Sequence, residues 1–273
     1  MKNIFVHTGN NGDILFSLNF VKELHENLNI SLDEFFIQTN VEMKYAQMHP
    51  NGNVGMTESA AKFIKPLLEY TKLFRKVSYG DKIPDDGNII NLSTFRKMTI
   101  NFQAGNIQSW YYQLISEHLP QDYSKANVII NQEDIDYRFK DKIIISKTSR
   151  YNNVFVNWKC LDEFKDKFMF IGLEQEHQDF CNNYFDVGYY KVNDMLELAK
   201  ILAGCKGLIG NPGGNFSLAE VMKIPRVLVS CEFINFRSMT VPGPCNNQLC
   251  GGWFEYATNN QKLINSTKNL INL

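Results

Sequence analysis

Three short stretches of the chain carry residues able to do chemistry. In the first, Gly210-Asn211-Pro212-Gly213-Gly214-Asn215 follows the apolar pair Leu208-Ile209, opens a helix-patterned segment and leads to a second apolar run, Val227-Leu228-Val229. A strand, a glycine turn and a helix start in that order can cradle a phosphate. Glycine turns can take positive φ, and helix-start N–H groups, carrying roughly half a positive charge, can approach an anion closely. A tight turn without ligand has the same composition, because turns need glycine in any case. In the second stretch, Ile4-Phe5-Val6-His7 reads as a strand and Gly9-Asn10-Asn11-Gly12-Asp13 as a polar turn into a helix. Asp13 then stands at the carboxyl end of the first strand, where open α/β sheets place their chemistry, and is either a proton acceptor or a helix cap. In the third, Lys147 and Arg150 follow the strand-like Ile144-Ile145-Ser146. Arginine can grip a phosphate with two parallel hydrogen bonds and lysine acts as a point charge, although both are also ordinary surface residues.

Positioning these residues requires a regular scaffold. The first half of the chain predicts a strand over 3–7, a helix over 14–28, a strand over 34–39, a helix near 57–76 and strands over 88–92 and 127–131. Ile14, Leu18, Val21, Leu24 and Leu28 step by three or four, so one face of the first helix packs on a sheet and the other meets water. Ala60, Phe63, Ile64, Leu67, Leu68 and Phe74 mark the stripe of the second helix, which Pro66 should kink or shorten. The charged run 132–141 reads as a linker. Beyond it come strand 142–147, a helix near 158–166, strand 167–172, a strand near 185–190, helix 194–204, strand 206–210, helix 215–223 and strand 226–231. Such alternation implies parallel sheets covered by helices. Two series with a charged joint predict an α/β protein of two Rossmann-like domains, 1–135 and 136–273, facing one another across a cleft. The loops 40–56 and 93–110 bring His49, Asn51, Asn53, Arg96, Lys97, Gln103 and Gln108 to the side of Asp13, with Trp110, Tyr111 and Tyr112 just beyond. That polar and aromatic group, with Gly12, His49 and Arg96 foremost, suits a sugar acceptor, while aromatics at this spacing also suit a helix core.

Composition excludes several classes. With 273 residues, 44% of them hydrophobic, the chain can build one large core or two smaller ones. Lys plus Arg number 28 against 29 for Asp plus Glu, so no global field attracts nucleic acid or an anionic membrane. No apolar run reaches the roughly 20 residues of a membrane span, and the opening reads as a strand rather than a signal segment, which predicts a cytoplasmic protein. Cys160, Cys181, Cys205, Cys231, Cys245 and Cys250 include no Cys-x-x-Cys pair and read as reduced thiols. The five histidines are scattered, so no zinc site and no cofactor is predicted. Asp134-x-Asp136 matches a pair that can hold a divalent metal on a nucleotide sugar, yet in an acidic run it reads first as solvated charge.

Taken together, these stretches resemble the heptosyltransferase-like glycosyltransferases, the ADP-heptose:lipopolysaccharide heptosyltransferase family with its GT-B fold. Gly12-Asp13-Ile14-Leu15 is similar to the family's entry to the first helix, which implies that Asp13 is the general base. Ile144 through Arg150, with Trp158 downstream, is similar to the strand and basic loop that contact donor phosphates. Phe170-Ile171-Gly172-Leu173-Glu174 is similar to the segment whose acidic residue approaches the donor nucleoside. The longest likeness runs from Met195 through Val229. There Asn211 and Gly214 match the family's Gly-Asn-Asp-Thr-Gly-x-x-His-Leu-Ala, whereas Pro212, Gly213 and Ser217 stand in place of its Asp, Thr and His. Gly213-Gly214 followed by Glu220 resembles the wider GT-B pattern, in which a glutamate on this helix bonds the nucleotide ribose.

The resemblance implies an inverting, metal-independent transferase that takes a sugar from an ADP-, UDP- or GDP-linked donor to a glycan or other hydroxyl acceptor, such as one in lipopolysaccharide. Its donor residues would be Lys147, Arg150, Glu174, Asn211, Gly213, Gly214, Asn215, Ser217 and Glu220. The turn amides and the two cations would stabilise the leaving diphosphate, and Asp13 would take the acceptor proton. A sugar epimerase or hydrolase on the same fold, or a silent sugar-nucleotide binder, would share the donor site and differ in what becomes of the sugar.

Overall fold

A computed structural model describes residues 1–43, 53–99, 107–116, 118–230 and 252–273. They fall into two units, Met1–Gln121 with Asp194–Leu196, and Asp122–Asn193 with Glu197–Leu273. The segment 122–135 therefore groups with the second unit.

In the first unit, β1 (Asn3–His7), β2 (Glu34–Gln38), β3 (Lys76–Gly80) and β4 (Asn88–Asn91) form a parallel sheet in the order β3-β2-β1-β4. Ile4, Phe5 and Val6 are fully buried, as a central parallel strand covered on both faces requires. Helix α1 (Asn11–Leu28) is more enclosed than its stripe predicts. Every residue from Ile14 to Val21 is buried, whereas Leu28 is exposed. The cause is a neighbour on its second face, α3 (Ile107–Tyr111) and the turn after it. Phe20 packs its ring against Tyr111 and Tyr112, and Asn19 donates to the Tyr112 hydroxyl at 2.7 Å. Helix α2 (Glu58–Tyr70) starts where the Thr57 hydroxyl accepts the Ala60 N–H, and it continues through Pro66. It stops at Tyr70 rather than near 76 because Lys76–Gly80 is claimed by β3. Phe74 leaves the helical stripe to sit between Phe5 and Phe35, with ring centroids at 5.8 and 4.9 Å.

In the second unit, β5 (Ile143–Ser146), β6 (Phe168–Phe170), β7 (Gly207–Gly210), β8 (Arg226–Val229) and β9 (Phe254–Ala257) form a parallel sheet in the order β6-β5-β7-β8-β9. Around it lie α4 (Glu174–Asn183), α5 (Met195–Gly204), α6 (Gly214–Met222) and α7 (Asn260–Ile271). Phe180 of α4 anchors one side of the core, its ring within 5.8 Å of those of Trp158, Phe170 and Phe185. Several sequence expectations change here. Residues 127–131 form no strand. Asn127 donates to the carbonyl of Val221, and Val128 and Ile130 are buried in irregular backbone. The strand near 185–190 reduces to one bridge, Phe170 to Tyr189, and the helix near 158–166 is a 3₁₀ helix over Trp158–Lys167. The run 132–141 is not a solvated linker. Asp136 N–H donates to the Lys200 carbonyl, Asp134 pairs with Lys200 at 3.0 Å, and Arg138 pairs with Asp136 and Glu197, so the charges fasten this stretch onto α5.

Candidate functional site

Strand order locates the crevice in each sheet. From β5 the chain moves to β6 on one side and later to β7, β8 and β9 on the other. Loops leaving the carboxyl ends of β5 and β7 therefore diverge, which is where open α/β sheets bind ligands. By the same rule the crevice of the first unit lies between β1 and β4. The three stretches singled out by sequence map onto these two places.

At the β5/β7 crevice, the buried side chain of Asn211 clamps the loop after β5. Its Oδ1 accepts the Thr148 N–H at 2.8 Å, and its Nδ2 donates to the carbonyls of Thr148 and Arg150 at 3.0 and 2.7 Å. Asn211 thus positions the loop and has no amide hydrogen left for a ligand. Gly213 caps α6 in an extended conformation, φ 179° and ψ 174°. Neither it nor Gly214 lies in the left-handed region, so the expected left-handed turn is absent. Glycine at 213 serves close packing instead: a Cβ there would lie 2.8 Å from Thr148 Cγ2, so Thr148 or its loop would have to shift. Asn215 reaches back from the first turn of α6, donating to Ser146 Oγ at 3.0 Å and to the Ile171 carbonyl at 3.1 Å. The α6 start thus lies beside the ends of β5 and β6, and its first N–H groups have no helical carbonyl to satisfy them.

The cations flank that junction but are turned toward aromatic rings. Lys147 Nζ lies 5.6 Å from the Tyr184 ring centroid and the Arg150 guanidinium 4.6 Å from that of Tyr151. Burial draws the Lys147 ammonium below its ordinary range, with Glu176 and Asp179 opposing the shift. Glu174 is exposed at the start of α4, and the acidic residue tied into the loop is Glu176. Its two carboxylate oxygens accept the N–H groups of Ser149 at 3.3 Å and Leu173 at 3.1 Å, while burial raises its pKa. Sequence reasoning missed Glu176 and Thr148. Thr148 lay between the two cations, and Glu176 carried no signal because Leu173, three residues before it, is not a capping type.

Two expected donor residues belong to the core instead. Ser217 is fully buried and its hydroxyl donates to the Gly213 carbonyl at 3.0 Å, one turn back along α6. Glu220 is also fully buried, and its oxygens accept from Lys223 Nζ at 2.5 Å and Arg226 Nε at 2.6 Å. Arg226 opens β8, at the amino end of the parallel strands, opposite the carboxyl ends where the crevice lies. Six residues of helix separate Glu220 from Gly214, about 9 Å at 1.5 Å each, so its carboxylate is committed to a buried ion triad rather than to a ribose.

At the β1/β4 crevice, Asp13 lies in the first turn of α1, where Asn10 rather than Asp13 is the N-cap. Asp13 Oδ2 accepts from the Asn10 N–H at 3.1 Å and from Arg96 Nη2 at 2.5 Å. Its Oδ1 accepts no hydrogen bond among the described residues and is the oxygen through which it can take a proton. Arg96 comes from the 3₁₀ turn Leu92–Lys97 after β4, and that turn is stitched to β1 by the Thr8 N–H donating to Ser93 Oγ at 2.9 Å. Sequence had placed Gly12, His49 and Arg96 together with Asp13. Gly12 adjoins it in α1, Arg96 touches it, and His49 lies outside the described residues. A Cβ on Gly9 would meet Asp13 Oδ2 at 2.5 Å and His7 Cε1 at 2.8 Å, so the loop before α1 passes against both side chains.

Among the described residues no group of three or more His, Cys, Asp or Glu is placed to hold a metal ion, and no helix is long and apolar enough to cross a membrane. No protein-family model matches the sequence, and no curated protein matches it. Solved structures do match. Glycosyl transferase family 9 from Veillonella parvula DSM 2008 superposes with a TM-score of 0.61 at 11% identity, over 99% of this chain and 97% of that one. E. coli ADP-heptose LPS heptosyltransferase II gives 0.62 at 8% identity, over 99% and 98%. An E. coli heptosyltransferase solved with ADP gives 0.57 at 12% identity, over 100% and 99%. The fold is that of the heptosyltransferases. The GT-B class expected from sequence is therefore the fold of this chain, reached by a strongly divergent sequence.

Proposed function

We propose that the protein is a glycosyltransferase that moves a sugar from a nucleotide-diphospho-sugar to a hydroxyl acceptor. The observation that carries this reading is the start of α6. Its first amides, which no helical carbonyl satisfies, start after β7 beside a loop that Asn211 and Glu176 hold in place and that bears Lys147 and Arg150. A nucleoside diphosphate leaves readily only when its growing charge is neutralised, and helix amides with two nearby cations supply that neutralisation without a metal. Lys147 and Arg150 swing from their aromatic partners to the phosphates when donor binds. ADP-linked sugars are the first donors to test, since one structural neighbour was solved with ADP and another is described as an ADP-heptose enzyme.

The first unit supplies the other half of the reaction. Asp13 takes the acceptor proton through Oδ1 while Arg96 holds Oδ2. A single displacement by the hydroxyl so activated inverts the anomeric carbon. The acceptor is a sugar hydroxyl of a surface glycan, with lipopolysaccharide the first case to test because one neighbour is described as acting on it.

The test is incubation with ADP-, UDP- and GDP-sugars, with and without glycan acceptors and with and without EDTA. Acceptor-dependent release of nucleoside diphosphate that survives EDTA supports the reading. Sugar inverted or hydrolysed without acceptor would make the protein an epimerase or hydrolase, and binding without any turnover would make it a silent binder.

A further inference from the structure

The β1/β4 crevice contains a chain of hydrogen bonds that proton transfer itself does not use. His7 ends β1 and is fully buried. The Gly9 N–H points at its Nδ1 from 2.9 Å, so Nδ1 is the acceptor and the ring proton resides on Nε2. That Nε2–H donates to the Tyr111 hydroxyl at 2.7 Å. The hydroxyl proton of Tyr111 is then free to go to the main-chain carbonyl of Asp13, 2.9 Å away. Each donor in the chain meets one acceptor, and the Asp13 carbonyl has a second lone pair for the helical N–H four residues on, so the arrangement has a single consistent set of protons. Burial holds the His7 ring well below its ordinary pKa, at about 4, with the Asp13 carboxylate raising and the Arg96 guanidinium lowering it. A protonated ring would turn an N–H toward the Gly9 N–H. His7 is therefore not a proton store for the reaction, and its chain ends on the backbone of Asp13 rather than on its carboxylate.

We infer that His7 and Tyr111 are positioning residues for the Asp13 carboxylate. They hold the first turn of α1 from the main-chain side, while the Asn10 N–H and Arg96 hold Asp13 from the side-chain side. Tyr111 stands on α3, fully buried against Phe20 and Phe95, so it brings a rigid part of the core to bear on the turn that carries the base. A carboxylate pinned from both sides keeps Oδ1 on one line of approach, which matters because small misplacements of a base cost large factors in rate.

The catalytic part of this inference rests on Asp13 being the base, and the test separates the two. Tyr111→Phe lowers kcat about tenfold and leaves donor KM within about twofold, because the donor is bound by the other unit. In an Asp13→Asn background the same substitution has no further effect on kcat, since the carboxylate it positions is gone. His7→Asn keeps an acceptor for the Gly9 N–H, loses the donor to Tyr111, and reproduces Tyr111→Phe. Amide hydrogen exchange gives a readout that needs no activity. In both variants the amides of Ile14 and Ser17 exchange at least about tenfold faster while those of β5 and β7 are unchanged. Equal kcat losses in both backgrounds, or unchanged exchange in α1, would overturn the inference. Full activity of Asp13→Asn would remove the base assignment alone, and the exchange result would still decide whether the chain holds the turn.

Discussion

Replacing Glu220 with glutamine removes the only carboxylate shared by two buried cations in the triad with Lys223 and Arg226. Glu220 and Arg226 are both fully buried, and Lys223 is nearly so. Glutamine can offer its oxygen to one cation but turns an amide donor toward the other, so charge is stranded in a medium that solvates it poorly. Breaking a buried ion pair by removing one partner costs about 3–5 kcal/mol. For a chain of this size each kcal/mol lowers the melting temperature by about 2–4 °C, so Glu220→Gln should melt about 6–20 °C below the parent. The assay is thermal unfolding followed by far-ultraviolet circular dichroism, paired with titration of nucleoside diphosphate well below the transition. The variant should bind within about twofold of the parent, because Glu220 is roughly 9 Å of helix away from the turn that faces the crevice. A melting temperature within about 2 °C of the parent, together with a tenfold loss of affinity, would refute the reasoning and return Glu220 to the ribose.

Further outcomes follow from the two crevices. His7 is neutral when folded down to about pH 4 but takes a proton near pH 6.5 once unfolded. Its contribution is thus fully present above pH 6.5 and lost as pH falls toward 4, about 3 kcal/mol in all; the gap between urea midpoints at pH 7 and pH 4.5 should narrow in His7→Asn, and an unchanged gap would contradict the burial argument. Asn211→Ala deletes three hydrogen bonds to the loop after β5 and should lower stability by about 1–3 kcal/mol with a larger loss of donor affinity, read by calorimetric titration. Gly213→Ala drives a methyl against Thr148 Cγ2 and should weaken donor binding; adding Thr148→Ser, which lacks that carbon, should recover most of it, and no recovery would mean that the glycine serves something else. Asp13→Asn should lower kcat by about a hundredfold with donor affinity unchanged, and near-normal turnover would reduce Asp13 to part of the helix start.

The sequence alone determined the parts of this protein that local pattern dictates. Apolar runs with period two or none made β1, β2, β5, β7 and β8, helical stripes made α1 and α2, and their alternation made two parallel sheets. That pattern was enough to bring Asp13 and the 211–215 turn to the carboxyl edges of their sheets, where parallel sheets bind. Tertiary structure decided what each of those residues does there. Asp13 meets Arg96 from 83 positions away, and His7 meets Tyr111 from 104, distances over which no periodicity carries a signal. Glu220 stands on the glycine-turn helix as a ribose-binding residue would, yet Arg226 opens the next strand directly beneath it. A buried carboxylate takes the nearest buried cation, because desolvation leaves it no cheaper partner. Glycine at 213 was legible as a necessity but not its reason, since only the packed loop shows Thr148 occupying the space where a Cβ would go.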